Sequence, residues 1–75
     1  MDKLFIIITK EPTNNFDEYK HYTYETKFET KTACLGILQE PDVTIEIIYE
    51  VNLLKDKLKK LEMQLIDNSI ELVEK

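Results

Sequence analysis

Arginine and tryptophan are missing from this sequence, and glycine, cysteine and histidine occur once each, as Gly36, Cys34 and His21. Each scarcity excludes something. Without arginine the chain has no planar fork for paired contacts to phosphate or guanine, which argues against specific nucleic-acid recognition. A single cysteine cannot form an internal disulfide, and one cysteine with one histidine cannot supply a structural zinc site. A single glycine rules out a glycine-rich phosphate cradle. The longest strongly apolar run, Leu4 to Ile8, is five residues. A signal peptide needs about 7–15 such residues and a membrane span about 20, so neither targeting nor a membrane is expected from it. An unpaired thiol fits a reducing cytoplasm.

What remains is a short acidic chain. Its 75 residues allow one domain, and a hydrophobic content of 43% is too high for a disordered segment. A chain of this size buries only about 60% of its unfolded surface, so association with a partner is the expected supplement to its stability. Fifteen acids face ten lysines, for a formal net charge of −5. Residues 1–50 hold ten acids and five lysines, whereas residues 51–75 hold five of each. The excess charge therefore sits in the first two thirds and repels phosphate backbones.

The run Leu4-Phe5-Ile6-Ile7-Ile8 has no polar alternation and predicts a strand covered on both faces. Lys10-Glu11-Pro12-Thr13-Asn14-Asn15 closes it with turn chemistry. From Tyr19 to Cys34 the pattern has period two, with Tyr22, Tyr24, Thr26, Phe28, Thr30, Thr32 and Cys34 on one side. This reads as a long second strand with a bend near Thr26–Thr30, ending at a bulge or stop marked by Gly36. After Gln39-Glu40-Pro41-Asp42, residues 43–51 are rich in β-branched side chains and read as a third strand, with a helix starting at Pro41 as the rival. Val51, Leu54, Leu58, Leu61, Leu65 and Leu72 recur at spacings of three, four and seven, which predicts a helix over 52–75. The expected fold is α+β: a three-stranded antiparallel sheet over 1–51 (β-β-β-α) covered by one long C-terminal amphipathic helix.

On that helix Met63, Ile66, Ile70 and Val73 form a second apolar stripe, with Asn68 at a seam position where a polar residue sets register. The stripe reads as a dimer or partner interface, or else as a surface buried within the monomer. Asp42, Glu46 and Glu50 fall at even spacing on the third strand and would present an acidic row to a partner. Tyr19, Tyr22 and Tyr24 form an aromatic group suited either to a protein interface or to the core. Cys34 lies in apolar sequence and reads as a small core residue; it has opposite parity to His21, which argues against a nucleophilic pair.

No cofactor and no metal are implied, and no catalytic residue emerges. The composition, rich in Ile, Lys, Glu and Asn, is that of an AT-rich bacterial or phage genome. The expected function is a non-enzymatic acidic protein-binding module that inhibits or regulates a larger host protein. Its concrete form would be a homodimeric phage inhibitor of a host enzyme or defence system, acting in the host cytoplasm. The alternatives are an assembly subunit joined to a complex by its C-terminal helix and, more weakly, a protein that sequesters a small ligand.

Overall fold

The computed structural model describes residues 2–13 and 15–75; Asn14, placed in a turn by the sequence, lies outside the described residues. The chain runs β1 (Lys3–Pro12), β2 (Asp17–Tyr24), α1 (Lys27–Leu38), β3 (Thr44–Asn52), β4 (Lys57–Ile66) and β5 (Ser69–Glu74). The five strands form one antiparallel sheet in the order β2-β1-β3-β4-β5. The expected three-stranded sheet with a long C-terminal helix is therefore overturned: the only helix among the described residues is the twelve-residue α1 in mid-chain.

The topology follows from the placement of β1. It pairs antiparallel with β2 on one side and with β3 on the other, so β2 and β3 run in the same direction. Strands that run parallel cannot be joined by a tight hairpin and need a crossover, usually helical. α1 is that crossover, carried over one face of the sheet. The remaining connections are hairpins.

α1 begins at an N-cap threonine in the sequence pattern Thr-x-x-Glu. The Thr26 hydroxyl oxygen accepts from the Glu29 backbone N–H at 3.1 Å, and the same hydroxyl donates to the Glu29 carboxylate at 2.9 Å. Thr30, Ala33, Cys34 and Ile37 follow at i, i+3, i+4 and i+7 and turn inward; Thr30 and Cys34 are fully buried, and the Thr30 hydroxyl donates to the Thr26 carbonyl at 2.8 Å. The period-two reading across Thr26 to Cys34 fails because this stripe is built from small and polar residues. Gly36, expected at a bulge or strand end, sits within the helix.

The C-terminal third is a hairpin because two turns are made without glycine. Asp56 (φ 54°) closes the β3–β4 connection, and Asp67 and Asn68 (φ 50° and 65°) form the two-residue β4–β5 turn. The Asn52 carboxamide oxygen accepts from the backbone N–H groups of Leu54 and Lys55, at 3.1 Å each, which starts the first turn. Leucines spaced by three and four then fall on both sides of a strand ribbon rather than along one helical stripe.

The core lies between α1 and the sheet: Phe5 and Ile7 of β1, Cys34 of α1, Ile48 of β3, Leu61 of β4 and Leu72 of β5. Lys31 of α1 reaches Glu71 of β5 at 3.2 Å and ties the helix to the far edge. The molecule measures 41 × 31 × 19 Å, and its short dimension is that of one sheet and one helical layer.

A side chain at position 36 would meet no atom within 4 Å, and its backbone is in the ordinary helical region. Gly36→Ala is therefore expected to stabilise the fold by about 0.5–1 kcal/mol through reduced unfolded-state entropy, read as a higher urea midpoint at an unchanged slope. A lower midpoint would show that the open space at Gly36 is occupied by something other than solvent.

Candidate functional site

Side chains alternate across a strand, so β1 sends Phe5, Ile7 and Thr9 to the helix and Leu4, Ile6 and Ile8 to the opposite face. Because the run carries no polar alternation, that opposite face is apolar too. Register sets the neighbours. Ile6 lies between Thr23 and Tyr49, Ile8 between His21 and Ile47, and Leu4 beside Val51. One strand further, Val51 pairs with Leu58 and Tyr49 with Lys60. The result is a continuous apolar field across four strands, hollowed into a shallow trough of about 490 Å³ lined mainly by Ile6, Ile8, Tyr19, His21, Tyr49 and Leu58. Its two flanks stand well out of the surface, Tyr19 at 62% exposure and Leu58 at 60%. No described element covers this face.

Charges on that face occur at two places, beside β2 and along β4. Lys10 reaches Asp17 at 3.4 Å, and this hydrogen-bonded partner raises the lysine pKa above its ordinary value. Lys60 and Glu62 project from β4 on the same side, Glu62 accepting from the Gln64 carboxamide at 3.0 Å.

A second apolar surface lies on the outer side of α1. Phe28 and Leu35 stand about 150° around the helix from the inward stripe, with Leu38 on the flank. They are among the more exposed large apolar side chains described, Phe28 at 76%. Glu29 flanks the stripe on one side and Lys27 and Lys31 on the other, while Glu25 precedes the helix and Glu40 follows it, near Tyr22 and Tyr24. Lys31 is engaged by Glu71.

The residues singled out from sequence are distributed as follows. Met63, Ile66, Ile70 and Val73 do not share a helical stripe, because they lie on β4 and β5. Met63 pairs with Leu72 and packs against the core, and Ile70 shares that side. Ile66 and Val73 point the other way and border the uncovered face. Asn68 is a turn residue rather than a seam residue. Of the acidic row, Asp42 precedes β3, Glu46 stands at the irregularity opposite Ile8 and Thr9, and Glu50 turns to the helix side, where it meets Lys3 at 3.9 Å. The structure does not bring these three carboxylates into one line. Tyr19 belongs to the uncovered face, whereas Tyr22 and Tyr24 lie on the helix side, Tyr24 against the core. Sequence reasoning missed Ile6, Ile8, Ile47, Tyr49 and Leu58 as surface residues. The signal was present in the unbroken run of β1, which demanded two covers, while the chain provides one.

His21 lies on the uncovered face and Cys34 beneath α1, so the sheet separates them. No group of three His, Cys, Asp or Glu side chains among the described residues is placed to hold a metal ion. No helix among them is long and apolar enough to cross a membrane.

Burial pushes the Cys34 thiol up to about 11 from an ordinary 9.0. A raised folded pKa stabilises the fold below the unfolded value, and that contribution is lost as the pH rises through the folded one. Stability should thus decline from about pH 9 to 11. Tyr24, also raised by burial, adds to the decline. Cys34→Ala should flatten this dependence relative to the native chain while costing about 1 kcal/mol or more at pH 7 from lost packing, both read from urea unfolding. The native thiol should react slowly with alkylating reagents; rapid labelling at pH 7 would place Cys34 at the surface.

Comparison with protein-family models, with curated proteins and with solved structures finds no match to this chain.

Proposed function

We propose that this chain is a non-enzymatic protein-binding module that inhibits or regulates a larger protein by laying the outer side of α1 against it. The observation that carries this reading is the exposed apolar stripe of Phe28, Leu35 and Leu38, with Glu29 on one flank and Glu25 and Glu40 beyond its ends. A short helix presenting anchors at i, i+7 and i+10 suits insertion into an apolar groove on a partner. Aromatic and leucine anchors supply the buried area, and the carboxylates of Glu25, Glu29 and Glu40 favour a groove with basic margins. The charge bias of residues 1–50 points the same way. A phage-encoded inhibitor of a host enzyme or defence system is the concrete form of this proposal, and it rests on composition alone. The assembly-subunit alternative loses its footing, since the C-terminal helix on which it depended is a hairpin.

The immobilised chain is expected to retain one protein from a bacterial lysate in stoichiometric amount. Phe28→Ser should weaken that binding about 30-fold, the scale of losing a hot-spot anchor near 2 kcal/mol, with the circular dichroism spectrum unchanged. Affinity should also fall as salt rises from about 50 to about 500 mM, because the carboxylates of Glu25, Glu29 and Glu40 are exposed and screened. Undiminished retention by the folded Phe28 variant would remove α1 as the docking element.

A further inference from the structure

We infer that the uncovered face of the sheet is occupied by a second copy of this chain, packed sheet on sheet about a two-fold axis. The inference is independent of the docking of α1 to a larger partner, since it concerns the opposite face of the molecule.

Four observations converge on it. The first is the demand of β1. Leu4, Ile6 and Ile8 are as apolar as Phe5 and Ile7, yet α1 covers only the latter, and the 19 Å thickness is accounted for by one sheet and one helical layer. The second is area. Five strands at about 4.8 Å and eight residues at about 3.4 Å give a flat footprint of roughly 650 Å². Corrugated by side chains, that matches the roughly 800 Å² per partner of a standard stable interface. The third is charge. The chain carries −5. Glu71 is drawn to Lys31, which leaves Lys10 and Lys60 against Asp17 and Glu62 among the strand residues of this face, two of each sign, with Lys75 just beyond β5 near Glu46 and Glu62. Glu46, at the irregular margin, stands close enough to Lys10 to raise its pKa. Even with that carboxylate included, the face holds at most one of the five excess negative charges. A surface that must oppose its own copy cannot carry a large net charge without repelling itself, and here the excess acids lie elsewhere. The fourth is chemistry. The centre of the field is aliphatic, with Tyr49 and Tyr19 beside it; Lys10 and Asp17 lie at one margin, while Lys60 and Glu62 stand side by side on β4, opposite in sign, next to the apolar centre.

Two such faces stack at about 10 Å with their strands inclined by roughly 30°, as in sheet sandwiches. The apolar side chains of both copies then form a second core, and the two α1 helices face outward. Ile66 and Val73 lie at the edge of this contact; Met63 and Ile70 do not enter it.

The decisive measurement is the solution mass of the full chain by sedimentation equilibrium between about 5 and 200 µM. The native protein should approach twice its 8.9 kDa. Tyr49→Glu and Leu58→Glu should each lower the mass to that of one chain at about 50 µM, with at least a roughly 30-fold rise in the dimer dissociation constant and a retained sheet spectrum. Leu58 projects from β4 at 60% exposure and lies outside the core, so its substitution leaves the core packing intact even if Tyr49→Glu does not. Phe28→Ser should leave the mass doubled. A native chain that stays monomeric at about 200 µM overturns the inference, as does a dimer that survives Leu58→Glu. A dimer lost through Phe28→Ser and kept with Leu58→Glu would overturn it too, by placing the contact on the helices. Because Phe28→Ser reports on partner capture and Leu58→Glu on the copy-to-copy contact, failure of one reading is distinguishable from failure of the other.

Discussion

The structure depends on the central strand β1, hydrogen-bonded on both sides and apolar on both faces. Its pairing with β2 and β3 fixes the direction of everything that follows. Two neighbours antiparallel to the same strand must run parallel to one another, so the chain has to cross the sheet once between them. That crossing places α1 over Phe5 and Ile7. The burial of Ile7, with no exposed surface at all, is the result of a topological requirement met by a helix of only twelve residues.

The same requirement leaves the molecule one-sided. A single crossover supplies a single cover, because the remaining connections are hairpins that return within the plane of the sheet. Here β4 and β5 widen the sheet instead of adding a layer, so they enlarge the uncovered field through Leu58 and Val73 while completing the core through Leu61 and Leu72. Among the described residues six apolar side chains are buried, a small core for 75 residues, and sheets of this kind commonly draw further stability from association.

Parts of this were legible in the sequence for physical reasons. The unbroken run of β1 and the β-branched density of β3 are strand signals that tertiary context did not reverse, and Pro12 and Pro41 lie at element ends as their missing donors require. The helix was hidden. Its inward stripe of Thr30, Ala33, Cys34 and Ile37 has helical spacing but little hydrophobicity, and threonines at every second position imitated a strand. The Thr-x-x-Glu pattern at Thr26 and Glu29 was the overlooked signal. The last two strands were hidden for the converse reason: Leu58, Leu61 and Leu65 imitate a helix because one faces away from α1 and two face toward it. Their turns lack glycine, and Asp56, Asp67 and Asn68 adopt the left-handed conformation in its place. A chain with a single glycine conceals its turns in Asp and Asn. The interface residues read from a helical wheel were scattered accordingly, while the uncovered face stayed invisible because a strand apolar on both sides looks the same whether its second cover is internal or external.

The two surfaces differ in the sign of their response to charge, and this separates them physically. The uncovered sheet face is close to neutral within an acidic molecule, so in the proposed pair apolar burial would drive association there and the repulsion between two chains of −5 would oppose it. Salt would screen that repulsion and strengthen the contact. The outer side of α1 differs, with apolar anchors flanked by Glu29 and followed by Glu40, and the proposed attraction to a basic groove would be weakened by the same salt. In a sheet-on-sheet pair both helices are displayed outward at opposite ends, each backed by a doubly covered sheet. Burying Leu4, Ile6 and Ile8 would thus stiffen the platform that holds Phe28 and Leu35 in place. One-sided packing in the monomer therefore divides the work between its two surfaces. On the proposed reading, the apolar, near-neutral side would complete the fold in a second copy and the helical side would be left free for a partner.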